Sequence, residues 1–159
     1  LSRLIIMNTA LGLGPGAGDG FNAWKQYALT VPVFDAGQII ARGTPQMSEA
    51  ETAAYNAPYP DDSYQAGARK FPALVPVEPD MDGVEVSKRA AGFWSREWSG
   101  PSFMAIGGSD PVLGPPVMKM MHSLINGCPE PLLIEEAGHF VQEWGDIVAP
   151  AALKSFGDA

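Results

Sequence analysis

Short, unbroken apolar runs lie near both ends of the chain, and most of what separates them has helical or loop character. RLIIMN (3–8), the strand that opens PSFMAIGGSD (101–110) ahead of a polar loop, and EPLLIEE (130–136) each have the apolar makeup of a strand buried in a parallel sheet. TALGLGPGAGDG (9–20) is too rich in glycine for regular structure and reads as a loop. DGFNAWKQYAL (19–29) reads as a helix with Asp19 as N-cap, and DAGQIIARG (35–43) as a short helix capped by Asp35 and stopped near Gly43. SEAETAAYN (48–56) opens on a Ser48–Glu51 capping box. Prolines at 58, 60, 72, 76 and 79 cut the next stretch into short helical pieces joined by turns. DGVEVSKRAAGFWSREW (82–98) is the longest helix, and Trp94 and Trp98 form an apolar packing stripe along it. PPVMKMMHSLING (115–127) is a helix with proline near its start and Gly127 after it, and VQEWGDIVAPAALKSF (141–156) is a final helix bent at Pro150.

The order is therefore one strand, a long helical stretch, then strand, helix, strand, helix. Such alternation predicts an α/β fold with a parallel sheet and flanking helices. Residues 1–8 and 101–159 form the sheet core, and 9–100, which has no repeat period, is a helical insertion between two strands. The chain lacks an initiator Met and enters its first strand within a few residues, so a truncated chain is the expectation.

Composition narrows the class. A makeup of 46 % hydrophobic and 18 % charged residues is that of a globular chain. A net charge of -8 with scattered Lys and Arg argues against a nucleic-acid partner. No apolar run approaches the roughly 18 residues that span a bilayer, so no membrane partner is expected. The lone Cys128 excludes an internal disulfide and reads as a buried small apolar residue rather than a nucleophile. With no signal-peptide pattern, a reducing, cytoplasmic setting is the expectation.

In open parallel sheets chemistry sits just beyond the carboxyl ends of strands. Asp110, after SFMAIGGS, and His139, after LLIEEAG, both occupy such loops. They follow in the order acid, then histidine. A histidine acting as general base needs its other ring nitrogen held, and a carboxylate at the neighbouring strand end can hold it. Taken singly, each reads as a turn or packed loop residue; the pairing carries the catalytic reading. The nucleophile is missing: the chain contains neither G-x-S-x-G nor G-x-D-x-G, and in GGSDP Ser109 is followed by Asp110 and Pro111.

Weaker signals point elsewhere. GLGPGA (12–17) fits a dinucleotide fingerprint with Asp35 at the distance of a ribose-binding carboxylate, but Pro15 interrupts it. His139 and Glu143 have the spacing of two metal ligands on a helix, with His122 the only other histidine; that set is too small, and neither a metal nor any other cofactor is expected. His122 reads as helix surface or core edge. Trp24 and Trp144 read first as packing aromatics.

RLIIMN, DGFNAWK, SEAE, YNAPYPDDSYQAGARKFP, FMAIGGSDPVLGP, INGCPEPL and AGHFVQEWG together resemble the haloalkane dehalogenases, in the branch with a halide-binding lid tryptophan and the catalytic acid after the strand before the last. The resemblance runs over almost the whole chain. It implies a partial α/β-hydrolase fold with an inserted helical lid. It also implies hydrolysis of a small haloalkane to alcohol and halide, with water as co-substrate, through an alkyl ester on an aspartate upstream of Leu1. By the same resemblance His139 is the base and Asp110 its partner; Trp24, with Phe21 beside it, binds halide; and Phe71, Pro72, Val75, Leu113 and Phe140 line the substrate pocket. The chain alone is then expected to be inactive. The rival reading is a non-catalytic fragment or binding module that keeps the fold, with a dinucleotide-binding domain behind it.

Overall fold

The computed structural model describes residues 1–14 and 16–158. Pro15, the residue interrupting the glycine-rich fingerprint, lies outside them. The chain divides into two compact units, one of Leu1–Leu11 with Val86–Ala159 and one of Gly12–Glu85.

The first unit holds a three-stranded parallel sheet in the order β1 (Leu4–Met7), β2 (Ser102–Gly107), β3 (Leu132–Ile134). Ile6 pairs with Met104 and Ile106 with Leu133, which brings the carboxyl ends of all three strands to one edge. Side chains alternate across the sheet. Ile6, Met104 and Ile106 pack with Trp98 and with Met118, Met121 and Ile125 from and just after helix α6 (Pro115–Leu124). Phe103, Ala105 and Ile134 pack on the other face with Val148 and Ala152 of α7 (Gly145–Phe156). The central β2 is buried at every position, as an unbroken apolar run should be. The outer strands depart from that expectation: only Ile6 and Ile134 are buried, while Ile5 and Leu133 are about half exposed (49 % and 46 %). Each lies on an outer strand of the three-stranded sheet.

Helix α5 (Val84–Arg96) is the longest, but it ends before Trp98. Trp98 still meets Trp94 edge to face at 5.3 Å, and its indole N–H donates to Ser102 Oγ at 2.8 Å. Asn126 ties this region to the end of α6 by donating to the carbonyls of Trp94 and Trp98. The closing helix is two pieces, a 3-10 turn over Val141–Trp144 and then α7, which continues through Pro150 to Gly157 in the left-handed conformation. Arg3 forks onto the Asp158 carboxylate and stacks over Phe156, which clasps the start of β1 to the end of α7.

The second unit is helical: α1 (Asp19–Thr30), α2 (Ala36–Ala41), α3 (Glu49–Asn56), a 3-10 turn over Asp62–Gln65 and α4 (Ala66–Leu74). The Ser48–Glu51 capping box is present, and Asp35 caps α2. Asp19 is not the N-cap of α1; Gly18 holds that position and Asp19 sits in the first turn, where its charge opposes the helix dipole. Arg69 of α4 donates to the carbonyls of Ala28, Val31 and Pro32 at the end of α1, and so joins the two helices. The glycine loop has a packing reason: a Cβ at Gly12 would collide with Pro76 and one at Gly14, where φ is +104°, with Pro79. Among the described residues no helix is long and apolar enough to cross a membrane.

Candidate active site

Asp110 lies on the turn between β2 and α6, and His139 on the loop leaving β3. Three hydrogen bonds fix the two strand ends against each other. Gly108 N–H donates to Ile134 O and Ser109 N–H to Ala137 O, both at 2.9 Å, and Ser109 Oγ–H donates to Glu135 O at 2.8 Å. Gly107 allows the closest approach, since a Cβ there would sit 2.1 Å from Gly138 O. Side chains were excluded by that proximity, not by the backbone angles of Gly107.

Within this frame His139 Nδ1 lies 2.7 Å from Asp110 Oδ2. The Asp110 side chain is fully buried, whereas that of His139 is 43 % exposed. Burial alone would push the Asp110 carboxyl up. The hydrogen bonds from His139, from the N–H groups of Val112 and Leu113, and from Asn8 outweigh it and hold the carboxyl down at about 2. Near neutral pH the group is therefore an anion with both oxygens occupied as acceptors. An anion facing Nδ1 selects the tautomer that carries its proton there, which leaves Nε2 as the basic nitrogen.

Two other residues named from the sequence belong to this unit. Leu113 contributes its N–H to Asp110 Oδ1 at 3.1 Å, and the Phe140 ring meets the His139 imidazole edge to face at 5.1 Å. The rest lie in the helical unit, where Trp24 packs between Phe21, 5.6 Å away edge to face, and Phe71, 6.2 Å away. Pro72 is buried within α4, and Val75 is the residue at its carboxyl end. Thus the structure assembles Asp110, His139, Leu113 and Phe140 in one unit and Trp24, Phe21, Phe71, Pro72 and Val75 in the other.

The other residues singled out in the sequence have their own surroundings. His139 lies in a loop and Glu143 in a 3-10 turn, so no helix face presents them together. Among the described residues no group of three or more His, Cys, Asp or Glu side chains could hold a metal. His122 Nε2 lies 3.0 Å from the carbonyls of both Cys128 and Pro129 and so secures the turn after α6. The Cys128 thiol is pushed up by burial, which makes it a poor nucleophile. Trp144 packs against the α7 face of the sheet, with its indole nitrogen buried and unpaired among the described residues.

Sequence reading missed Asn8. It is 4 % exposed and stands immediately beyond β1, with φ at 23°. Its Nδ2 donates to Asp110 Oδ2 at 2.9 Å, and its Oδ1 accepts from Gly107 N–H at 2.8 Å. The only signal was a polar side chain closing an apolar strand at the edge where chemistry gathers.

No family model matches the chain. The haloalkane dehalogenases of Mycobacterium marinum and Psychrobacter cryohalolentis are each 38 % identical to it, over 90 % and 89 % of this chain and 48 % of each relative. A solved structure, the tetrameric haloalkane dehalogenase DpaA of Paraglaciecola agarilytica, superposes with a TM-score of 0.93 at 42 % identity, over 98 % of this chain and 52 % of that one. The haloalkane dehalogenase DbeA of Bradyrhizobium elkani shares the fold, with a TM-score of 0.70 at 17 % identity over 100 % of this chain and 61 % of that one. The chain spans about half the length of the curated relatives it matches. Its three parallel strands with flanking helices are part of the α/β-hydrolase fold of haloalkane dehalogenases.

Proposed function

We propose that this chain supplies the helical lid and the acid–histidine pair of a hydrolase that converts short haloalkanes to alcohol and halide. The observation that carries the reading is the buried Asp110 anion, 2.7 Å from His139 Nδ1 at adjacent strand ends, in a chain similar to haloalkane dehalogenases along most of its length. The lid is the insertion over 9–100, and the catalytic core includes 1–8 and 101–159.

The chemistry divides between this chain and the part of its relatives that it does not span. An aspartate there attacks the halogen-bearing carbon; a carbon–oxygen bond forms, the carbon–halogen bond breaks, and halide departs with the bonding pair. The Trp24 indole N–H, with the Phe21 ring edge beside it, stabilises the charge gathering on the leaving halogen. Phe71, Pro72, Val75, Leu113 and Phe140 enclose the alkyl chain. His139 Nε2 then takes a proton from water, and the resulting hydroxide adds to the ester carbonyl. The alcohol leaves with the proton returned from the imidazolium, and the carboxylic acid left behind loses its proton to solvent, which regenerates the aspartate. Asp110 keeps Nδ1 protonated and stabilises the imidazolium while it exists. Haloalkane, halide and water are the partners, and the setting is cytoplasmic.

The test compares halide release from 1-bromobutane by the 159-residue chain and by the same chain joined to the amino-terminal half of the Mycobacterium marinum relative. The reading predicts none from the chain alone, because loss of the nucleophile from a concerted set costs on the order of a million-fold. It predicts steady release from the joined, folded protein. His139-dependent release by the short chain, or a folded joined protein without activity, would overturn it.

A further inference from the structure

The acid–histidine pair rests on a third side chain that the chemistry above does not use. We propose that Asn8 is a positioning residue: its amide grips the Asp110 carboxylate by the same oxygen that faces His139, and thereby fixes the plane in which the imidazole is held. This rests on the hydrolase reading only for what the pair is for; the grip itself stands on geometry.

The orientation of the Asn8 amide is determined by its neighbours. Gly107 N–H can only donate, and it points at Asn8 Oδ1 from 2.8 Å. The opposite end of the amide must then be the NH2 group, which faces three acceptors: Asp110 Oδ2 at 2.9 Å, Gly107 O at 3.3 Å and Gly138 O at 3.4 Å. One side chain thus touches the end of β2, the acid, and the residue preceding His139. A donor to a carboxylate makes a stronger hydrogen bond than one to a neutral acceptor, so the contact to Asp110 dominates.

The carboxylate needs this contact. Its Oδ1 is held by the N–H groups of Val112 and Leu113, which come from its own turn. Its Oδ2 would otherwise be held only by an imidazole that is 43 % exposed. Two backbone donors fix one oxygen but leave the group able to rock about it; Asn8 closes the second side. The backbone is consistent with a selected residue, since a φ of 23° disfavours most side chains and is tolerated by asparagine. Asn8 lies 102 positions from Asp110 and reaches it through the pairing of β1 with β2.

The test follows the Asp110 carboxyl carbon by NMR through an acid titration of the 159-residue chain, so it is read independently of whether the joined protein releases halide. Asn8→Gly keeps the backbone conformation and removes the amide; the Asp110 midpoint should rise from about 2 by roughly one unit. Asn8→Asp keeps the shape but replaces the donor with an acceptor, and the rise should be larger because two adjacent carboxyls must share a proton. A purely structural Asn8 would lower the urea midpoint and leave the Asp110 titration unmoved, and that result overturns the proposal. Should neither variant fold, the unmodified chain decides: the Asn8 side-chain nitrogen signal must shift in step with Asp110 ionisation, and a signal that ignores it overturns the proposal equally.

Discussion

Asp110 and His139 are 29 residues apart in sequence, yet Oδ2 of one lies 2.7 Å from Nδ1 of the other, with the carboxylate wholly buried and the imidazole 43 % exposed. The pairing follows from the parallel register of β2 and β3, which ends both strands at one edge, and from a glycine that lets their loops touch. The two side chains differ in burial. The buried partner is held as a fixed anion, and the exposed partner keeps one nitrogen accessible to solvent chemistry.

The acid stabilises the fold in a definite pH window. An aspartate near 3.8 in the unfolded chain and about 2 in the folded one means that the folded state binds fewer protons between those values. Its contribution, on the order of 2 kcal/mol, is fully present above about pH 4 and is lost as pH falls toward 2. Urea unfolding of the chain and of Asp110→Asn at pH 7 and pH 2.5 should show a stability gap at pH 7 that narrows at pH 2.5. A gap independent of pH would contradict the assignment.

Gly107→Ala tests the contact that brings the loops together. The new Cβ would sit 2.1 Å from Gly138 O, a backbone atom that cannot turn aside. The loops must part, at a cost of about 1–3 kcal/mol. A lowered urea midpoint and a lengthened Asp110–His139 separation in a crystal structure are expected. An unchanged midpoint would mean that the two loops are not held as described.

Much of this arrangement was legible in the chain because apolar runs and caps are local signals. The three strands, the Ser48–Glu51 box and the strand-end positions of Asp110 and His139 each depend on a few consecutive residues. What was missed depends on distance. Asn8 reads as the polar end of a strand, and its partners lie 99, 102 and 130 positions away. Ile5 and Leu133 read as buried because a continuous apolar run does not say how many strands lie beyond it. Asp19 reads as the cap of α1 because carboxylates favour that place, but the preceding Gly18 adopts the extended conformation and takes it.

Trp24 can be tested apart from turnover. In the chain joined to a relative's amino-terminal half, bromide should quench tryptophan fluorescence at a saturable site, because a donor-only indole packed by Phe21 and Phe71 can offer its N–H to an anion. Trp24→Phe should abolish the saturable component and lower halide release, leaving only collisional quenching. Saturable quenching that survives the substitution would remove Trp24 from the site.

The most direct measurement is the fate of substrate in the joined protein carrying His139→Ala. If His139 serves the water step and not the attack on carbon, exposure to 1-bromobutane should release about one halide per protein and then stop. Intact mass should rise by one butyl group in place of a proton, and peptide mapping should find it on an aspartate outside these 159 residues. Continued turnover without His139, or a butyl group on a carboxylate of this chain, would contradict the account.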